Sequence, residues 1–235
     1  MKVFILAGGL GTRISEETSD KPKPMVRIDE KPILWHVMSI YASQGWSDFV
    51  IGCGYKKEVI FDFVQNEMNE DWLVKPIDTG EMTLTGGRIA RFLDMFPNET
   101  FMVTYGDGLG NVEIEKLVEK HMNSGSLVTL TAVRPPSRFG SVVSENGVVT
   151  HFGEKNQADA GWINGGFMIV DPRVRELITS DDQAFEADIL PELVKRKLLG
   201  AYMHEGFWQP MDTLREKNDL EELAQQSPPP WLVLE

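Results

Sequence analysis

At 235 residues the chain is long enough to bury a sizeable core, and a single domain over 1–235 is expected. A formal net charge of −13 and a pI near 4.8 argue against nucleic acid or an anionic membrane as the main partner, because both reward basic surfaces. The lone Cys53 excludes an intramolecular disulfide, no apolar run reaches membrane-spanning length, and no leader with a cleavage site opens the chain, so a cytoplasmic location is expected.

The first predicted element is a buried-type strand, Val3 to Ala7, that runs into a glycine loop, Gly8-Gly9-Leu10-Gly11-Thr12-Arg13. Glycines let the backbone approach a ligand and aim N–H groups at it, which suits a phosphate chain. Arg13 and Lys23, the latter locked between Pro22 and Pro24, add positive charge. Two familiar phosphate motifs are excluded by spacing: G-x-G-x-x-G would need glycine where Ile14 stands, and the Gly-Lys-Ser/Thr of a P-loop is absent.

Short apolar runs recur at Phe49 to Cys53, Phe101 to Tyr105 and Leu127 to Val133. Helix-like segments lie between them, near Ile33 to Gln44, Lys57 to Asn69, Gly86 to Phe96 and Val112 to Ser124. That alternation predicts a Rossmann-like α/β fold, with a mixed, mostly parallel sheet flanked by helices and ligands at the carboxyl ends of the strands. Asn111 could cap the helix that follows it. After Pro135-Pro136 the texture changes. Residues 138 to 153 read as a hairpin turning at Asn146-Gly147, followed by a strand at Phe167 to Val170, helices at Pro172 to Thr179 and Phe185 to Lys197, and a last helix from Leu214 to Gln226. The apolar tail after the triple proline is expected to dock on its own domain.

The predicted strand Phe101 to Tyr105 delivers Asp107 between Gly106 and Gly108, an arrangement that suits Mg²⁺ shared with phosphate oxygens. A partner carboxylate is available in Asp212, ahead of the last helix, although Asp-Thr before a helix is also an N-cap pattern and Asp107 could itself be a cap. Lys155, after a predicted strand, suits a second anion, and Asn164 beside Gly165 and Gly166 offers groups for hydroxyls.

Taken together, Leu6 to Arg13, Pro22-Lys23-Pro24-Met25, Tyr105-Gly106-Asp107-Gly108, Glu154-Lys155, Ile163-Asn164-Gly165-Gly166 and Asp212-Thr213 closely resemble the sugar-1-phosphate nucleotidyltransferases. Asp78-Thr79-Gly80, Thr85-Gly86-Gly87-Arg88 and Gly206 to Thr213 look like the glucose-1-phosphate cytidylyltransferase branch. The resemblance implies a Mg²⁺-dependent transfer of a cytidylyl group from CTP to a sugar 1-phosphate. Arg13 and Lys23 would then be catalytic; Leu6, Ala7, Gly8, Gly9, Gly11, Thr12, Thr79, Gly80 and Arg88 would line the nucleotide. Glu154, Lys155, Asn164, Gly165 and Glu186 would face the sugar phosphate, with Asp107 and Asp212 on the metal. Residues 1–133 would form the nucleotide part and residues 134–235 the sugar-phosphate part of one unit.

The resemblance also implies a homo-oligomer, its order left open because the segment between Lys56 and Asp78 is shorter than in that branch. Trp162 stands where a smaller residue is usual, which bears on the choice of sugar. A different sugar phosphate, dTTP or UTP as donor, and a non-catalytic nucleotide-sugar sensor are the alternatives.

Overall fold

The computed structural model describes residues 1–9, 11–136, 141–153 and 161–233. The strands, in chain order, are β1 (Val3–Ala7), β2 (Arg27–Ile28), β3 (Lys31–Pro32), β4 (Asp48–Cys53), β5 (Leu73–Asp78), β6 (Phe101–Tyr105) and β7 (Gly108–Gly110). They continue with β8 (Val128–Val133), β9 (Ser141–Glu145), β10 (Val148–Gly153), β11 (Ile163–Asn164), β12 (Met168–Val170), β13 (Leu199–His204) and β14 (Trp208–Pro210). The α-helices are α1 (Ser15–Thr18), α2 (Ile33–Ala42), α3 (Lys57–Asn66), α4 (Thr85–Met95), α5 (Ile114–Met122), α6 (Leu190–Lys195) and α7 (Leu214–Ala224).

Among the described residues, eight strands form the main sheet. β1 lies between β4 and β6, parallel to both, and β5 extends the sheet beyond β4. On the other side β12 pairs antiparallel with β6 and β8, β11 pairs antiparallel with β8, and β13 runs parallel to β8 at the edge. The chain thus leaves β1 in one direction for β4 and β5 and then crosses to β6 on its other flank. Such a reversal opens a crevice at the carboxyl ends of the two strands, where Gly8 and Asp107 stand.

Strand periodicity divides the core between the faces. Val3, Ile5 and Ala7 pack with α2, α3 and α5 on one side, while Phe4 and Leu6 pack with α4 and the helices around Phe185 and Leu193 on the other. Fully apolar strands are what a sheet covered by helices on both faces requires. At β4, Gly52 is needed because a Cβ there would stand 2.7 Å from the Phe4 ring.

The expected strands and helices are present within a few residues, and the hairpin β9–β10 turns at Asn146 and Gly147, both with positive φ (51° and 80°). Of the strands that the sequence reading does not name, the two longest are β5 and β13. β5 carries Pro76, which is tolerated at a sheet edge, and β13 contains Gly200 and Ala201, poor strand formers held by the full length of β8.

The expected helix at Phe185 to Lys197 begins instead as a π-helical turn, Phe185–Ile189, before α6. Asn111 is not the cap of α5. That helix starts after Glu113 without a side-chain cap of its own, and the side chain of Gln44, in the turn after α2, accepts from Ile114 N at 2.9 Å. The tail docks on its own chain: Trp231 is fully buried, edge-on to His36 and beside Phe207. Among the described residues no helix is long and apolar enough to cross a membrane.

Candidate active site

The crevice is built from turns that only these residues allow. Beyond β1, Gly11 takes a left-handed conformation (φ 64°) ahead of the 3-10 turn Thr12–Ile14, and Thr18 fastens the turn by donating to Gly11 O and Ile14 O, both at 3.1 Å. Thr12 is exposed on that turn; Arg13 stands within it, its side chain outside the described part, as is Leu10. A Cβ on Gly9 would meet nothing within 4 Å, whereas one on Gly8 would fall 2.1 Å from the Arg88 guanidinium. Gly9 therefore faces open space and Gly8 rests on buried arginine.

Lys23 sits in a 3-10 turn, Lys23–Met25, and is buried. Its following proline packs on the other key turn, because a Cβ on Gly106 would lie 2.9 Å from Pro24 Cγ. Asp107 begins a short ribbon in which β7 pairs with β14, Gly108 opposite Pro210, and Met211 N donates to Asp107 O at 2.9 Å. That ribbon brings Asp107 and Asp212 side by side across more than a hundred residues of sequence.

The Lys23 ammonium bridges them, donating to Asp107 Oδ2 at 2.7 Å and Asp212 Oδ1 at 2.6 Å. Burial alone would lower the Lys23 pKa, but the two carboxylates outweigh it and hold the group above its ordinary value. Neither aspartate is spent on a helix end. Thr213 is the N-cap of α7 in a capping box with Glu216, whose carboxylate also accepts from Asp212 N at 2.7 Å. Lys217, one residue on, reaches Glu17 of α1 at 2.9 Å and ties α7 to the glycine loop.

Two carboxylates converging on one cation are hard oxygen donors in the arrangement Mg²⁺ takes together with phosphate oxygens and water. Among the described residues no group of three or more His, Cys, Asp or Glu gathers anywhere as an alternative metal site.

The structure gives Arg88 a different task from the expected phosphate contact. Its guanidinium donates to Gly8 O (3.1 Å), Cys53 O (3.2 Å), Glu81 O (3.2 Å) and the Thr79 hydroxyl. It thereby laces together the ends of β1, β4 and β5 beneath the loop. Thr79 is fully buried and its hydroxyl donates to Cys53 O at 2.7 Å, so its side chain is turned away from the crevice; Gly80, with φ 82°, follows at the rim. Burial pushes the neighbouring Cys53 thiol up to about 12, in keeping with a packing residue.

A second polar cluster lies beside Asp107. Two residues earlier, Tyr105 donates its phenolic proton to Glu186 Oε1 at 2.6 Å, and Thr85 donates to Glu186 Oε2 at 2.6 Å. Asn164 Nδ2 donates to the Tyr105 oxygen at 3.2 Å. Glycines admit this meeting as well: a Cβ on Gly86 or Gly87 would strike the 181–183 backbone at 2.6–2.7 Å, and one on Gly165 would lie 2.6 Å from Val133. The Trp208 indole donates to Gly165 O at 2.9 Å, joining β14 to this cluster. Tyr105 and Thr85 were not singled out in sequence; their signal was adjacency, Tyr105 to Gly106-Asp107 and Thr85 to Gly86-Gly87.

Of the expected residues, the structure thus gathers Lys23, Asp107 and Asp212 in one cluster and Asn164, Gly165 and Glu186 in another. Leu6 and Ala7 are buried in β1 behind the loop. Glu154 and Lys155 lie outside the described residues.

The profile of the Nucleotidyl transferase family matches residues 2–218. The chain is 43% identical over 257 residues to a glucose-1-phosphate cytidylyltransferase of Salmonella typhi, covering 100% of both chains. It is 37% identical over 254 residues to a probable glucose-1-phosphate cytidylyltransferase of Bacillus subtilis, covering 99% of this chain and 100% of that one. An alignment of 257 positions against 235 residues leaves at least 22 that this chain does not fill. Among solved structures it is similar to HddC from Yersinia pseudotuberculosis complexed with GMP-PN, with a TM-score of 0.75 at 28% identity, covering 94% of this chain and 98% of that one.

Proposed function

The chain belongs to the nucleotidyl transferase family, and from that premise we propose that it transfers the cytidylyl group of CTP to α-D-glucose 1-phosphate, giving CDP-glucose and pyrophosphate. The observation that carries this reading is the meeting of Lys23, Asp107 and Asp212, far apart in sequence, at the mouth of a glycine loop. Full-length identity to relatives bearing the cytidylyltransferase name supports CTP as the donor.

In this reading a phosphate oxygen of the sugar phosphate attacks the α-phosphorus of CTP in line; one P–O bond forms as the bond to the β-phosphate breaks, and pyrophosphate carries away the electron pair. Little covalent chemistry is asked of the protein, so its work is positioning and charge neutralisation. Gly8, Gly9, Gly11 and Thr12 present the nucleotide side of the crevice, and Arg13 and Lys23 neutralise the phosphates. Asp107 and Asp212 hold Mg²⁺, which when bound screens the charge that develops on the phosphate oxygens. Glu154 and Lys155 take the sugar phosphate, while Asn164, Gly165 and Glu186 take the sugar. Arg88 and Thr79 act one layer behind, by holding the Gly8 carbonyl and the strand ends in place. Residues 1–133 serve the nucleotide and 134–235 the sugar phosphate within one unit, which assembles with copies of itself.

Pyrophosphate release measured with Mg²⁺, glucose 1-phosphate and each nucleoside triphosphate in turn tests the assignment. Release with CTP is expected. Release with dTTP or UTP alone overturns the cytidylyl reading, and no release with any of them overturns the choice of glucose.

A second acceptor, another hexose or a heptose 1-phosphate, is favoured by Trp162, two residues before Asn164, whose ring lies 4.6 Å from the Arg134 guanidinium. A panel of sugar phosphates with CTP held fixed decides between the two.

A further inference from the structure

We propose that Tyr105 and Thr85 are positioning residues that fix the Glu186 carboxylate as a rigid acceptor for one hydroxyl of the sugar phosphate, and thereby set which sugars the site accepts. This rests on the reading of Glu186 as sugar-facing.

The geometry is a closed circuit of neutral donors around a charged acceptor. Tyr105 and Thr85 each donate to a different oxygen of Glu186 at 2.6 Å, so the carboxylate plane is held from two sides. Thr85 is itself fixed, accepting from Phe185 N at 2.8 Å, the residue preceding Glu186. Tyr105 is fixed through Asn164, whose other amide atom, Oδ1, accepts from Gly166 N at 3.1 Å. No Lys or Arg among the described residues pairs with Glu186.

The backbone is arranged for this contact. Between β11 and β12 the chain bulges through Gly166 and Phe167, with φ of 79° and 41°. A left-handed conformation at a bulky residue is strained and persists only where the surroundings impose it. Here Phe167 is fully buried and its carbonyl accepts from Thr131 at 2.7 Å. The bulge leaves room for the Tyr105 ring, 3.0 Å from where a Cβ on Gly166 would stand. Glu186 likewise sits in a π-helical turn, a local widening that often marks a functional position.

What remains unspent defines the ligand. Among the described residues each carboxylate oxygen accepts from one hydroxyl and keeps a second lone pair, and Asn164 Nδ2 keeps a second N–H. The Tyr105 proton is committed to Glu186 Oε1. The cluster therefore offers a sugar acceptors backed by a full negative charge. A site built to accept from a hydroxyl discriminates strongly against the analogue that lacks it, because the charge is then left unpaired.

The experiment compares kcat/KM for glucose 1-phosphate with that for its 2-, 3-, 4- and 6-deoxy analogues, in the unaltered protein and in Tyr105→Phe, Thr85→Val, Thr85→Ser and Glu186→Gln. The unaltered protein is expected to reject one analogue by roughly tenfold or more. Tyr105→Phe and Thr85→Val should collapse that ratio towards one, Thr85→Ser should keep it, and KM for CTP should stay within about twofold throughout. If either variant fails to fold, the other carries the comparison, with Thr85→Ser as the control. The proposal is overturned if the ratio survives Tyr105→Phe and Thr85→Val while Glu186→Gln abolishes it, or if KM for CTP moves with it. Survival in Glu186→Gln as well, or no discrimination in the unaltered protein, overturns the sugar-facing reading of Glu186.

Discussion

The crevice holds two acidic centres by opposite means. Asp107 and Asp212 are drawn together by the Lys23 ammonium, whereas Glu186 is held by the hydroxyls of Tyr105 and Thr85. An ion pair lets one cation be exchanged for another, since the carboxylates bind charge rather than a particular shape. A carboxylate clamped by neutral hydroxyls keeps its whole negative charge and a fixed direction, and so reads the position of a hydroxyl. The first centre suits charge neutralisation during phosphoryl chemistry, and the second suits selection among neutral sugars.

The contrast breaks most sharply by removing charge from the first centre. Asp107→Asn or Asp212→Asn is expected to lower kcat by about 10³-fold or more, since the proposed metal-holding role asks the pair to support several kcal/mol of charge stabilisation. Thermal unfolding followed by circular dichroism would check that the fold survives, and turnover within tenfold of the parent would remove the metal role. Lys23→Met should cost about 10²–10³-fold in kcat, with a smaller change in KM for the sugar phosphate.

In the second centre Glu186→Gln should act mainly on KM for the sugar phosphate, raising it roughly tenfold, as loss of a charged hydrogen-bond partner does. Equal effects of Asp107→Asn and Glu186→Gln on kcat would erase the distinction. Arg88→Met should be felt first as lost stability, about 2–4 kcal/mol by urea denaturation, because the carbonyls of Gly8, Cys53 and Glu81 and the Thr79 hydroxyl lose the donor they share.

The smallest effect concerns the frame around both centres. Burial holds His36, His121 and His204 below the ordinary histidine value. The unfolded chain then takes up those protons first, so stability present above pH ~6.5 is lost as pH falls through and below that value. Denaturation midpoints at pH 7.5 and 5.5 measure it, and a flat profile would count against the three histidines.

How much of this was legible in sequence follows from how local each feature is. The glycine loop, Lys23 between prolines and Asp107 after an apolar strand are each encoded within a few consecutive residues, and all three appear where the pattern implied. The ambiguity of Asp212 between cap and ligand needed the structure, because Thr213-x-x-Glu216 has the spacing of a capping box in sequence but only the bonds made by both side chains show that Thr213, and not Asp212, caps α7. The bracing role of Arg88 is not legible in sequence, because a buried guanidinium and a phosphate-binding one share the same signature; its four protein acceptors appear only in the structure. β5 was hidden by Pro76, and β13 by residues that favour other structures. The clamp on Glu186 was beyond reach for a simple reason: its members come from residues 85, 105, 164 and 186, and no local pattern joins them.

The bridge made by Lys23 spans 189 residues of chain to Asp212, and Lys217 reaches back 200 residues to Glu17. Closing such long loops costs entropy before any contact repays it, and chains emerge from synthesis with the amino-terminal part folding first. The sheet from β1 to β6 can pair Lys23 with Asp107 while the rest is still being made. Asp212 is expected to arrive among the last, so the maturing chain passes through a form with one of its two carboxylates in place. Completion of the crevice is then a late event in the life of each molecule, set by the final helix.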